Sequence, residues 1–153
     1  MRFSIAAALA LIVGSSLGAQ TTPSPDFSTT TPIAGNWTYA RTTDGTEAVF
    51  VNSAGSPQLW VHCTRATRRV AISRPASAAA SSINVWTSSR TQSAASSFNP
   101  ATGRLTIDLG AYDPLLDAIA TGGGRVAFTA GTQPPLVVPP WAEVARVIED
   151  CRV

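Results

Sequence analysis

The chain is expected to be mainly β, an antiparallel sandwich or open barrel of about seven or eight strands with a short internal helix and a C-terminal helix. Three observations carry this expectation. Polar and apolar residues alternate in short runs, most clearly at Leu59-Trp60-Val61-His62-Cys63-Thr64, where Leu59, Val61 and Cys63 share one face and Trp60, His62 and Thr64 the other. The runs are separated by Gly, Pro, Asn and Ser turn chemistry. Only two stretches, one opening at Asp113-Pro114 and one after Pro139-Pro140, carry helical spacing.

The elements follow in order. Trp37 and Tyr39 lie on one side of a first strand and Asn36 and Thr38 on the other, residues 42–45 turn the chain, and residues 47–52 form a second strand. Residues 53–57 are a turn, and residues 59–73 are a hairpin about a short basic tip, so residues 37–73 read as an antiparallel meander. Residues 74–82 and 91–97 are rich in Ala and Ser and are expected to be loops. Ile83, Val85 and Thr87 mark the inner face of a strand between them. Leu105, Ile107 and Leu109 mark the next strand.

Asp113 then caps a helix whose first position is Pro114 and whose apolar stripe is Leu115, Leu116 and Ile119, ended by Gly122-Gly123-Gly124. Residues 125–130 and 136–138 are the last strands. From Trp141, a helical face would hold Trp141, Val144, Ala145, Ile148 and Cys151, with Glu143, Arg146, Glu149 and Asp150 opposite. No internal repeat is present.

Residues 1–19 have the form of an export signal: Arg2, an apolar run from Ile5 to Val13, and small residues up to Ala19. Gln20 stands where a lipoprotein would carry its acylated cysteine, so no lipid anchor is expected. No later stretch approaches the roughly 20 apolar residues of a membrane span. Residues 20–32, rich in Thr, Ser and Pro, are expected to be a disordered lead-in, and residues 33–153 one β-rich domain. Without Arg2 the chain has ten arginines against nine acids, a net charge of +1, which with the export signal speaks against nucleic acid as a partner. There is no lysine.

Cys63 and Cys151 are the chain's two cysteines, and in an exported chain the default is one disulfide between them. The inner-face position of Cys63 and the apolar-face position of Cys151 agree with that pairing. C-x-x-C spacing, which a reactive pair would want, is absent.

Candidate chemistry is sparse. Gly14-Ser15-Ser16-Leu17-Gly18 fits the nucleophile-elbow pattern but lies in the export signal and precedes no helix of the mature fold. A hydrolytic triad would have to use His62, the single histidine, and no elbow or oxyanion loop supports any serine. A zinc site wants more ligands than one histidine and two paired cysteines supply, so no metal and no cofactor are expected. Asp113 and Asp117, four apart at a helix start, read as cap and dipole partner rather than an acid–base pair.

Gly122-Gly123-Gly124 ends a helix where an anion site would open one. What remains is a candidate recognition surface, with Arg65, Arg68, Arg69 and Arg74 at the tip and return strand of the hairpin and Trp60 and His62 on its outward face. The alternative is that the C-terminal helix covers Trp60 and the arginines solvate an edge strand.

The runs Val137-Val138-Pro139-Pro140-Trp141-Ala142-Glu143-Val144-Ala145-Arg146-Val147-Ile148-Glu149-Asp150-Cys151-Arg152, Asp113-Pro114-Leu115-Leu116-Asp117-Ala118-Ile119-Ala120 and Cys63-Thr64-Arg65 resemble an uncharacterised group of small exported proteins of Gram-negative bacteria. In size and β-rich pattern the chain is also faintly similar to the invasion-associated locus B type of periplasmic protein, without a matching motif. The resemblance implies a periplasmic or secreted location and transfers no functional residue. The expected function is therefore a non-catalytic exported domain that binds an unknown protein or envelope component. An inhibitor of a hydrolase, or a small hydrolase using His62, are the alternatives.

Overall fold

The computed structural model describes residues 24–153; the expected export signal, the elbow-like run within it and the first residues of the lead-in lie outside the described residues. Nine strands form one curled antiparallel sheet. They are β1 (Gly35–Arg41), β2 (Gly45–Asn52), β3 (Pro57–Thr64), β4 (Arg69–Pro75), β5 (Ser82–Trp86), β6 (Thr91–Asn99), β7 (Arg104–Gly110), β8 (Val126–Thr129) and β9 (Leu136–Val138). Their spatial order is β1-β2-β3-β4-β7-β6-β5-β8-β9. Helices α1 (Pro114–Thr121) and α2 (Ala142–Asp150) complete the fold. The open-barrel expectation holds, as a half-barrel whose hollow is filled by helices.

Strand alternation decides which side is filled. Trp37, Ala48, Phe50, Leu59, Val61, Cys63, Val70, Ile72, Leu105 and Ile107 all point to the concave side, where they meet Leu115, Leu116 and Ile119 of α1 and Val144, Val147 and Ile148 of α2 in one buried cluster. Each of these side chains removed from water contributes roughly 1.5–3 kcal/mol for the larger aliphatic and aromatic groups. The two ends of the sheet approach each other. Ile33 N–H donates to the Val137 carbonyl of β9, and the Trp37 indole N–H donates to the Pro139 carbonyl at 2.7 Å.

Both helices are held as their sequences suggest. The Asp113 carboxylate accepts from Leu115 N–H at 2.8 Å, and Pro114 starts α1. Arg152 clamps the helices together, donating from Nε to the Ala111 carbonyl and pairing through its Nη atoms with Asp117 at 2.7 Å and Glu149 at 3.0 Å. The Asp117 carboxylate is the main cause of the raised Arg152 pKa. On the rim, the Tyr39 hydroxyl donates to Asp150 at 2.6 Å while the Arg146 guanidinium lies over the Tyr39 ring.

Four expectations change. Residues 91–97 belong to β6, which pairs with β5 through residues 91–95 and with β7 through residues 96–99; the inward positions within 91–97 are Gln92, Ala94 and Ser96, polar or small, and the one large apolar inward residue, Phe98, lies beyond them. Trp141 stands at the N-cap of α2 without a side-chain capping bond and is 44% exposed, Ala145 is half-buried, and the buried face is made by Val144, Val147, Ile148 and Cys151. Arg74 and Pro75 extend β4 instead of opening a loop. Finally, Phe27 is buried on the outer side of the sheet among Trp86, Ala127 and Val137, with its ring edge-on to Trp86 at 5.9 Å. One apolar residue in a polar tract is enough to anchor that part of the lead-in.

Candidate functional site

The tip of the β3–β4 hairpin is fixed from three directions. Within the turn, Arg68 N–H donates to the Arg65 carbonyl at 3.3 Å. From the β1–β2 turn, the Asp44 carbonyl accepts from Arg65 N–H, and from the end of β7 Ala111 N–H donates to the Arg68 carbonyl, both at 3.0 Å. Below the tip, Cys63 is bonded to Cys151, with both residues fully buried. Gly45 allows the close approach of the neighbouring turn, since a Cβ there would collide with the Cys63 carbonyl.

Arg68 has φ 51°, the left-handed conformation that glycine or asparagine ordinarily occupies in such turns. An L side chain in that region costs about 1–2 kcal/mol, against about 0.5–1 kcal/mol for the extra chain entropy of glycine. Arg68→Gly should therefore raise the urea midpoint slightly, by a stabilisation of up to about 1 kcal/mol. A lower midpoint would show that the Arg68 side chain is itself held by the fold.

The predicted surface residues divide into three groups. Arg65 and Arg68 are exposed and make no ion pair among the described residues. Arg69 is engaged by β7: Nε lies 2.9 Å from the Asp108 carboxylate and Nη2 donates to the Asp108 carbonyl at 2.7 Å. Trp60 and His62 lie on the outer face, away from the C-terminal helix, but neither is bare. The Arg104 guanidinium stacks 3.5 Å above the Trp60 ring, and His62 stands between Asp44, 3.2 Å from Nε2, and Glu47, 3.7 Å from Nδ1.

The Asp44 carboxyl is held below its ordinary range, first by the Thr42 hydroxyl, which donates at 2.8 Å, and then by His62. Two arginines of this region escaped the sequence reading. Arg41, at the exposed end of β1, is in register with Thr46, which is opposite Cys63, and so stands at the same end of the sheet as the tip. Arg104 is diagonal to Trp60 across β4, a relation that only the β4–β7 pairing creates.

Arg74, read from sequence as part of this basic cluster, is inside the molecule. It follows Val70 and Ile72 on the concave face of β4, is 7% exposed, and donates to the Phe128 and Pro134 carbonyls. It leaves the surface site with Arg65 and Arg68 as its free charges and Trp60–Arg104 as its stacked flank.

Arg65 and Arg68 present exposed positive charge at the tip. Both ring nitrogens of His62 face carboxylates, and its hydrogen bond goes to Asp44. Among the described residues, no group of three or more His, Cys, Asp or Glu side chains is arranged to hold a metal ion. A cavity between sheet and helices, lined by Trp37, Leu59, Val61 and Phe128 among others, has a volume of about 10 Å³, about the size of one water. Among the described residues no helix is long and apolar enough to cross a membrane. Comparison with family models, curated proteins and solved structures finds no match to this chain.

Proposed function

We propose that this chain is an exported, non-catalytic β-domain that binds an anionic protein or envelope component through the tip of its β3–β4 hairpin. The observation that carries this reading is the pair Arg65 and Arg68, exposed and unpaired among the described residues, on a turn fixed by the β1–β2 turn, by β7 and by the disulfide beneath it. Long cationic side chains on a rigid base lose less entropy on docking than the same charges on a mobile loop. The stacked Arg104–Trp60 pair supplies a flat flank of the kind enriched at interfaces.

The disulfide and the signal-like residues 1–19 support export, and the resemblance to small exported proteins of Gram-negative bacteria supports the periplasm as the compartment. Inhibition of a hydrolase is one form that such binding takes, with the tip entering an acidic cleft.

Capture from a periplasmic extract tests the proposal. The wild-type protein should retain a recurrent partner, and Arg65→Ser/Arg68→Ser/Arg69→Ser should weaken capture roughly tenfold or more, with stability changed by no more than about 1 kcal/mol. Raised salt should mimic the variant, because exposed charges are screened within about 10 Å at 0.1 M. Undiminished capture by the variant would remove the tip as the site. Turnover of an esterase, peptidase or glycosidase substrate that is abolished by His62→Ala would overturn the non-catalytic reading.

A further inference from the structure

The end of the half-barrel away from the hairpin tip holds a second feature, a groove between the segment preceding β1, the β2–β3 turn and the β8–β9 loop. Its open volume is about 490 Å³, the size of sites for small organic ligands. Ile33, Pro135 and Leu136 make its apolar walls, Asn52 and Gln58 contribute amides, and its one charged lining residue is Arg74. Arg74 spans the hollow from β4 to the opposite wall, where Nη1 donates to the Phe128 carbonyl at 2.7 Å and Nη2 to the Pro134 carbonyl at 3.0 Å.

Those two bonds account for a strut and for part of the charge. Carbonyl dipoles offset some of the desolvation cost of a guanidinium buried to 7% exposure, and an anion would offset more of it. No carboxylate of the described residues pairs with Arg74, and its buried Nε–H has no acceptor. Burial alone lowers its pKa, with no opposing charge among the causes. The guanidinium nevertheless stays protonated at neutral pH.

We infer that this groove is a binding site for a small carboxylate bearing an apolar group, with Arg74 as the counter-charge and Ile33, Pro135 and Leu136 around the apolar part. Nη1 and Nη2 each carry a second N–H beyond the one given to a carbonyl, and a carboxylate accepts strong charge-assisted hydrogen bonds from such donors. The Asn52 side-chain oxygen already accepts from Ala54 and Ser56 N–H, which turns its remaining capacity into donors. The site is separate from the hairpin tip, and the two proposals stand or fall independently.

N-acetyl-leucine is a suitable probe and N-acetyl-leucinamide its uncharged match, titrated into the 15N-labelled protein and followed by NMR. The acid should shift the Asn52 and Gln58 side-chain amides and the Arg74 Nε–H saturably, with a dissociation constant of about 1–10 mM for a ligand of this size. The amide should bind at least tenfold more weakly. Arg74→Lys, which keeps the charge and loses the fork, should also cost tenfold or more.

A short peptide ending in leucine with a free carboxylate separates two sources of the same chemistry. Tighter binding than the acetylated amino acid supports a chain terminus as ligand, and equal binding supports a free organic acid. Acid and amide producing equal shifts, or neither producing any, would overturn the site and leave Arg74 a strut. That comparison uses the wild-type protein, so it holds even if variants at Arg74 fail to fold.

Discussion

Replacing Cys63 and Cys151 together by alanine should destabilise the protein by about 4 to 5 kcal/mol, the largest loss expected from any single feature of the fold. The bridge spans a sequence separation of 88, and closing so long a loop in the unfolded chain removes much of its conformational freedom. The folded state adds a local reason. Cys151 caps α2 and Cys63 lies on β3, so the bond holds the last helix against the meander where Val144, Val147 and Ile148 enter the core. Urea denaturation of the oxidised protein and the variant measures the effect, and thermal melting should show a fall of about 15 °C or more. A loss below about 1 kcal/mol would mean that the unfolded chain already keeps α2 near the hairpin.

Phe50→Ala should cost about 3–5 kcal/mol. Phe50 has no solvent exposure, stands edge-on to Trp37 at 5.4 Å between ring centroids, and is in register with both Trp37 on β1 and Leu59 on β3. It also occupies the space left by Gly35, where a side chain would meet the ring and the Val51 carbonyl. The backbone of β1 and β2 is paired along its length and leaves little room for collapse around the lost ring. Thermal melting should drop by about 10 °C or more. A drop of only a few degrees would show that Trp37 swings into the vacancy, which loss of its 2.7 Å bond to Pro139 would confirm by indole NMR.

The legible parts of the fold were those in which one physical signal dominated. Alternation placed the inward residues of β1, β3, β5 and β7, because each faces a core on one side only. Asp113-Pro114 placed the start of α1 because cap and proline both belong to that one position. β6 is hard to read from sequence because three of its four inward positions are Gln92, Ala94 and Ser96, with Phe98 the single large apolar one, and its strand state comes from pairing with two neighbours rather than from its own residues.

The composition around Arg74 points away from its place in the fold. The Ala- and Ser-rich run that follows suggested a loop, although the spacing Val70, Ile72, Arg74 already placed it on the inner face. At the candidate site, the arginine tip was visible as a cluster of like charges at a turn. The neutralisation of Arg69 by Asp108 and the stacking of Arg104 on Trp60 were not, since both depend on β7 returning beside β4.

The lateness of α2 along the chain has a consequence for the protein while it folds. A chain that emerges N-terminus first presents β1 to β4 as a meander of neighbouring strands that can pair at once. Their concave face, with Phe50, Leu59, Val61, Val70 and Ile72, has no cover until α1 and then α2 have followed. During that interval the nascent sheet displays an apolar surface with the Cys63 thiol among it, the form that chaperones bind and that neighbouring chains join. The last helix thus ends a period of vulnerability as well as completing a core, and the partner that Cys63 needs arrives on the same segment that hides it.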